Sequence, residues 1–180
     1  MLALSVEDPK PLTEVRSFEE VYRAHFHFVW RVLRGMGVAE AELGDATQEV
    51  FLVVLKKLEN FDGRANVKTW LFEIALRIAS NQRRTTRRKG GHAALSNELP
   101  DSAAGPAELA ESRRKLDLVL SIMDSMDESL RAVLVLTQFE QMTAPEIAAL
   151  TATNVNTISA RLRKAREVFG QELARRRVER

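Results

Sequence analysis

The 180-residue chain predicts an all-α protein: two small helical domains joined by a flexible linker, the second containing a helix-turn-helix. Three observations predict this. Apolar residues recur at three- and four-residue steps, as on one face of a helix. No segment sustains the alternation expected of a strand. Residues 89–107, KGGHAALSNELPDSAAGPA, are small, polar and broken by Gly and Pro, a composition that suits a tether.

Residues 1–16 form an N-terminal extension, with neither the basic start nor the long apolar run of a secretory signal. The first domain spans 17–88. Its first helix places Phe18, Val21, Tyr22, Phe26, Val29, Val32, Leu33 and Met36 on one face, until Gly35 and Gly37 interrupt it. A second helix, Glu40–Leu58, directs Leu43, Ala46, Val50, Val54, Leu55 and Leu58 inward. NFDGRAN, residues 60–66, is a loop by its Gly, Asp and Asn content. A third helix starts at Val67, with Trp70, Leu71, Ile74, Ala75 and Ile78 inward, and ends in the basic run RRTTRRK.

The second domain spans 108–180. Leu116, Val119, Leu120, Met123 and Met126 stripe its first helix, and Leu130, Val133, Leu134 and Thr137 the next. Thr143-Ala-Pro-Glu146 has the form of a capping box, in which hydroxyl and carboxylate satisfy each other's backbone amides. Pro145 fits the first turn, where its missing donor costs little. The short helix that follows buries Ile147, Ala148 and Leu150. Asn154 is a suitable N-cap for the last helix, whose inner face is Ile158, Leu162, Ala165, Phe169 and Leu173. Asn156, Ser159, Ala160 and Arg163 then fall on the opposite face of its first turns. A helix-turn-helix requires this small, polar start to approach base edges. Arg suits guanine, Asn adenine, and an Ala methyl a thymine methyl. Thr157, Arg161 and Lys164 lie to the side and suit phosphate contacts.

Composition bounds the function. No apolar run approaches the ~18 residues of a membrane span, so no direct membrane contact is expected and the cytoplasm is the expected compartment. With no cysteine there is neither a disulfide framework nor a thiolate metal site. The net charge of +2 conceals opposed blocks. Residues 83–89 carry five bases and no acid; residues 98–128 carry eight acids and three bases; residues 161–180 carry eight bases and three acids. Two basic patches around an acidic stretch suggest two contacts with a polyanion. There is no phosphate-cradling glycine loop, metal-ligand cluster or nucleophile motif, so no enzyme activity and no cofactor is expected.

On the second helix, Asp45, Gln48, Glu49, Leu52 and Lys56 form a stripe opposite the buried one. An exposed Leu among acids and amides suits a protein-docking surface. The same segment carries Asp45-Ala-Thr-Gln48-Glu49-Val50-Phe51, Thr69-Trp70-Leu71 and Ile74-Ala75; the second domain carries LRAVLVL, EIA and NTISARLRKAR. In these elements and their order, from Phe18 to Leu173 apart from the linker, the chain resembles the RNA polymerase sigma factors of the extracytoplasmic-function (ECF) group.

The resemblance implies a division of labour. The stripe Asp45, Gln48, Glu49, Leu52 and Lys56 would bind the clamp helices of the largest subunit of core RNA polymerase, with a second contact at the flap. The loop Phe61, Asp62, Gly63, Arg64 and Asn66 would capture an unstacked base of the minus-ten promoter element. Lys68, Trp70, Arg77, Asn81, Arg83, Arg84, Arg87 and Arg88 would hold the edge of the opened DNA. The last helix would read the minus-thirty-five element, and an anti-sigma factor would be a further partner. Trp70 shares a face with Ile74, and Phe61 stands where a side chain can close the domain, so a core role stays open for both. Arg77 stands where the family often has Asn. Ala152-Thr153 stands where Gly and an aliphatic residue are usual, a costly exchange if φ is positive there. Asp127 stands where Pro is frequent and can act as an N-cap. A stand-alone helix-turn-helix regulator is the rival reading; it leaves the DATQEVF stripe and the TWL segment without a role.

Overall fold

The computed structural model describes residues 17–61, 66–88 and 105–178. Among these residues the chain forms seven α-helices, one 3₁₀ turn and no strand. α1 is Phe18–Gly35, α2 Glu40–Lys57 and α3 Val67–Arg88, with the 3₁₀ turn Leu58–Asn60 after α2. α4 is Pro106–Asp124, α5 Glu128–Gln138, α6 Ala144–Leu150 and α7 Val155–Val178.

Local chemistry sets the helix ends. Ser17 Oγ accepts from the Glu20 amide and Glu20 Oε2 accepts from the Ser17 amide, a reciprocal cap on α1. α1 stops where Gly37 takes φ +88, while the amides of Val38 and Gly37 donate back to the carbonyls of Leu33 and Arg34. This left-handed residue just past the helix suits glycine. Asn66 caps α3, its Oδ1 accepting from the Lys68 amide at 2.9 Å.

α1, α2 and α3 pack pairwise into the first unit. Its centre is Val21, Val29, Val32 and Leu33 from α1, Leu43, Val50 and Val54 from α2, and Leu71 and Ala75 from α3. Burying a Val or Leu side chain contributes about 1.5–3 kcal/mol. In the second unit α7 packs on α4, α5 and α6. Ile122, Val135, Leu136, Ile147, Ile158 and Ala165 lie at its centre.

Three expectations change. Leu55, expected inside, is 51% exposed, because Val50, Phe51 and Val54 already fill the contact with α1 and α3. Tyr22 is also exposed, at the rim of an aromatic cluster, whereas Phe28 and Ile122, absent from the expected stripes, are buried. The tether ends earlier than its composition suggests: Gly105 is the N-cap of α4 and Pro106 starts it, proline being well suited to a first helical position. The sequence left the resting arrangement of the two units open; here they pack together. α5 packs against α1, and the apolar core runs through both. All of Arg131–Leu136 is buried, as suits a helix covered on two sides.

Candidate functional site

The α2 stripe is arranged as expected. Asp45, Gln48, Glu49, Leu52 and Lys56 are all exposed, with Leu52 at 47%. Exposed Leu55 widens its apolar part, a residue that sequence reasoning placed in the core. Beside the stripe lies a groove of about 440 Å³ between α1 and α2. Phe18, Tyr22, Phe26, Trp30 and Phe51 line it, and Gln48 and Leu52 form its other rim. The rings hold one another: the Tyr22 and Phe51 centroids are 4.7 Å apart, and Phe26 stacks on Trp30 at 5.9 Å. A partner entering here would meet a firm apolar wall bordered by acids and amides.

Around the loop after α2 the arrangement is mixed. Asp62, Gly63 and Arg64 lie outside the described residues. Phe61, half-buried, stacks on half-buried Trp70 with centroids 4.7 Å apart. Both rings therefore close the domain at the point where the loop leaves it. Asn66 is exposed and caps α3. Arg77, Asn81 and Arg84 are exposed along α3; Arg87 and Arg88 belong to its last turn.

Lys68 and Arg83 differ from these. The Lys68 ammonium sits 4.7 Å from the centroid of the Phe28 ring and 3.7 Å from a carboxylate oxygen of Glu140. Glu140 also receives Arg31, with Nε to Oε1 at 2.7 Å and Nη2 to Oε2 at 3.1 Å. This hydrogen-bonded carboxylate raises the Arg31 pKa above its ordinary value. Arg83 meets Asp124 at 3.2 Å, and Asp124 receives Arg131 at 3.1 Å. Arg131 is fully buried and donates to the Met36 carbonyl at 2.9 Å. A cation there also answers the negative end of α1. Nothing in the sequence marked Glu140, Asp124 or Arg131 as partners of the first unit.

The helix-turn-helix forms from α6 and α7. Thr143 and Glu146 make the reciprocal cap, and the Thr143 amide donating to Glu146 lowers that carboxylate's pKa. Asp127 caps α5 by accepting from the Ser129 hydroxyl and amide, which lowers its pKa as well. Asn154 Oδ1 accepts from the Asn156 amide at 2.8 Å and opens α7. Between the helices Ala152 takes φ +47, and the Thr153 amide donates to the Ala148 carbonyl. The positive φ expected to penalise alanine is thus present. Ile158, Leu162 and Ala165 are buried, while Asn156, Thr157, Ser159, Ala160, Arg163 and Lys164 face solvent and Arg161 is half-buried. Lys164 pairs within its helix to Glu167 at 3.2 Å. Such a face can approach a DNA groove without repacking the core.

Among the described residues no cluster of His, Asp and Glu can hold a metal ion, and no helix is long and apolar enough to cross a membrane.

Three exposed surfaces on helices, one acidic and apolar and two basic, suit a DNA-binding transcription factor. The family model of Sigma-70 region 2 matches residues 21–89, and that of Sigma-70, region 4 matches residues 116–168, together more than half of the chain. The chain belongs to the sigma-70 family of RNA polymerase sigma factors, within its ECF group. RNA polymerase sigma factor NccH of Alcaligenes xylosoxydans xylosoxydans is 25% identical over 154 residues, 83% of either chain. The ECF RNA polymerase sigma-E factor of Escherichia coli K12 is 28% identical over 145 residues, 76% of either chain. The fold is shared with the sigma factor RpoE, solved in complex with the anti-sigma factor NepR from Bartonella quintana. That match has TM-score 0.63 and 17% identity, covering 87% of this chain and 96% of the other.

Proposed function

We propose that the chain binds core RNA polymerase through the α2 stripe and directs it to promoters with separated minus-thirty-five and minus-ten elements. The observation that carries this reading is the joint exposure of two faces on a folded core. One is the Asp45–Lys56 stripe beside its aromatic groove; the other is the small, polar start of α7. A stand-alone regulator would use only the second.

In this reading Asp45, Gln48, Glu49, Leu52 and Lys56 meet the clamp helices of the largest subunit, and the second unit meets the flap. Asn156, Ser159, Ala160 and Arg163 face base edges of the minus-thirty-five element, with Thr157, Arg161 and Lys164 on its phosphates. The loop from Phe61 to Asn66 takes up a base of the minus-ten element. Extruding that base costs a few kcal/mol, which contacts to its face and edge offset. Lys68, Trp70, Arg77, Asn81, Arg83, Arg84, Arg87 and Arg88 hold the flanking strand. The chain contributes binding and strand separation; phosphoryl transfer belongs to the polymerase. RpoE was solved with an anti-sigma factor, which supports a partner of that kind here; in this reading the partner is inhibitory and covers the α2 surface.

Run-off transcription with purified core polymerase on genomic DNA fragments tests the proposal. Discrete transcripts that depend on the added chain are expected. Glu49→Lys is expected to weaken polymerase association at least tenfold with helicity unchanged. Specific binding of duplex promoter DNA by the chain alone, without any effect on polymerase, would favour the regulator.

A further inference from the structure

We propose that the contact between the two units is a self-masking latch: Asp124 and Glu140 of the second unit occupy Arg83 and Lys68 in place of promoter phosphates. This rests on the reading of Lys68 and Arg83 as minus-ten contacts. Four observations support it.

The first is charge placement. Glu140 has a side chain only 4% exposed, and Arg31 and Lys68 of the first unit both engage it. A carboxylate so enclosed presents paired oxygens to cations, the arrangement a phosphate would offer. The second is Asp124, which joins Arg83 of α3 to Arg131 of α5 across the boundary. The third is Arg131 itself, buried in the contact and bonded to the Met36 carbonyl that ends α1. The fourth is fit: a Cβ on Gly35 would lie 2.7 Å from a Val135 methyl, so beside valine the glycine lets the helices come this close. The α7 face remains exposed throughout. The latch therefore masks one DNA surface and leaves the other open. Polymerase or DNA must part the units before Lys68 and Arg83 reach a strand.

The natural absence of cysteine makes a direct test possible. A Cβ on Gly35 lies 3.4 Å from Val135 Cβ, close to the ~3.5–4.5 Å spanned by a disulfide. Oxidation of the double variant Gly35→Cys, Val135→Cys is expected to give one intramolecular cross-link, read by thiol titration and mobility without reductant. Affinity for a short fluorescent DNA single strand is then measured against salt in the locked and reduced forms. Each phosphate contact contributes about 0.7 to the logarithmic slope, so masking Lys68 and Arg83 is expected to make the locked slope shallower by about 1.4. A second variant, Asp124→Asn with Glu140→Gln, leaves the cations and removes their cover. It is expected to bind the strand at least threefold more tightly than the natural chain.

Failure of the cross-link to form, equal slopes for locked and reduced chains, or no gain in the charge-neutral variant would each overturn the latch. These readouts need no polymerase, so they stand apart from the run-off assay. With polymerase, the locked chain is expected to initiate at least tenfold less than the same chain after reduction. Equal initiation by both forms would overturn the latch while leaving the sigma-factor reading intact.

Discussion

The basic patches on α3 and α7 look alike as sequence, yet the fold treats them differently. On α3, Arg83 is met by Asp124, and at the start of that helix Lys68 is met by Glu140; both acids come from the other unit. On α7, Lys164 pairs with Glu167 of the same helix, while Arg163 points into solvent. Acids three residues away on a helix trim charge locally and cost nothing to keep. Acids from another unit neutralise a patch only while the units stay together. A basic run therefore does not reveal how accessible its charge is; long-range packing decides that.

The largest expected effect breaks the masked side. Gly37 lies where Arg131, Asp124 and Arg83 meet. A Cβ there would be 2.7 Å from the Arg131 guanidinium and 3.0 Å from an Asp124 oxygen, at φ +88. Gly37→Ala adds left-handed strain of about 1–2 kcal/mol to overpacking of about 1–3 kcal/mol. Chemical denaturation is expected to show a loss of about 3 kcal/mol.

Next in size is a change on the open side. Arg163→Ala is expected to cost about 1–3 kcal/mol at one position of the upstream element. Comparing promoters that differ at single base pairs measures this; a uniform loss across all of them would make Arg163 a phosphate contact instead.

A smaller gain is expected between α6 and α7. Ala152 occupies the left-handed position that Gly37 fills after α1. Ala152→Gly relieves that strain but loosens the unfolded chain, leaving a net gain of about 0.5–1 kcal/mol in thermal denaturation. The smallest effect is acid loosening of the second unit. The Asp127 and Glu146 carboxylates sit below their ordinary range because cap amides and hydroxyls donate to them. Depressed values mean that their contribution is complete above the unfolded-chain range and is lost as pH falls through the lowered values. Helicity of the second unit followed during acid titration is expected to decline there, and less steeply in a chain carrying Glu146→Gln.

Much of this architecture was legible in the residues. Ser, Thr, Asn and Asp at helix starts act through neighbours two or three positions away, so Thr143, Asn154 and Asp127 announced their caps. The inner face of α7 followed from its spacing. The misplaced Leu55 belongs to a helix whose apolar residues wrap around more than one stripe, and only the filling of the core by Phe51 and Val54 decides which faces out. The contact between units was less accessible still. Glu140 and Arg31 are 109 residues apart, and no local pattern joins them. One signal was present: in LRAVLVL every residue except Arg131 is apolar, which calls for cover on more than one side, yet only one stripe of it was read inward.

The aromatic residues have a further consequence. Both tryptophans, Trp30 and Trp70, and the one tyrosine, Tyr22, belong to the first unit. Trp30 lines the α1–α2 groove, and Trp70 stacks on Phe61, just past the 3₁₀ turn. Ultraviolet emission from the natural chain is thus a built-in reporter confined to one half of the molecule. It signals occupancy of the groove or rearrangement around Phe61, while the half that carries α7 stays optically silent.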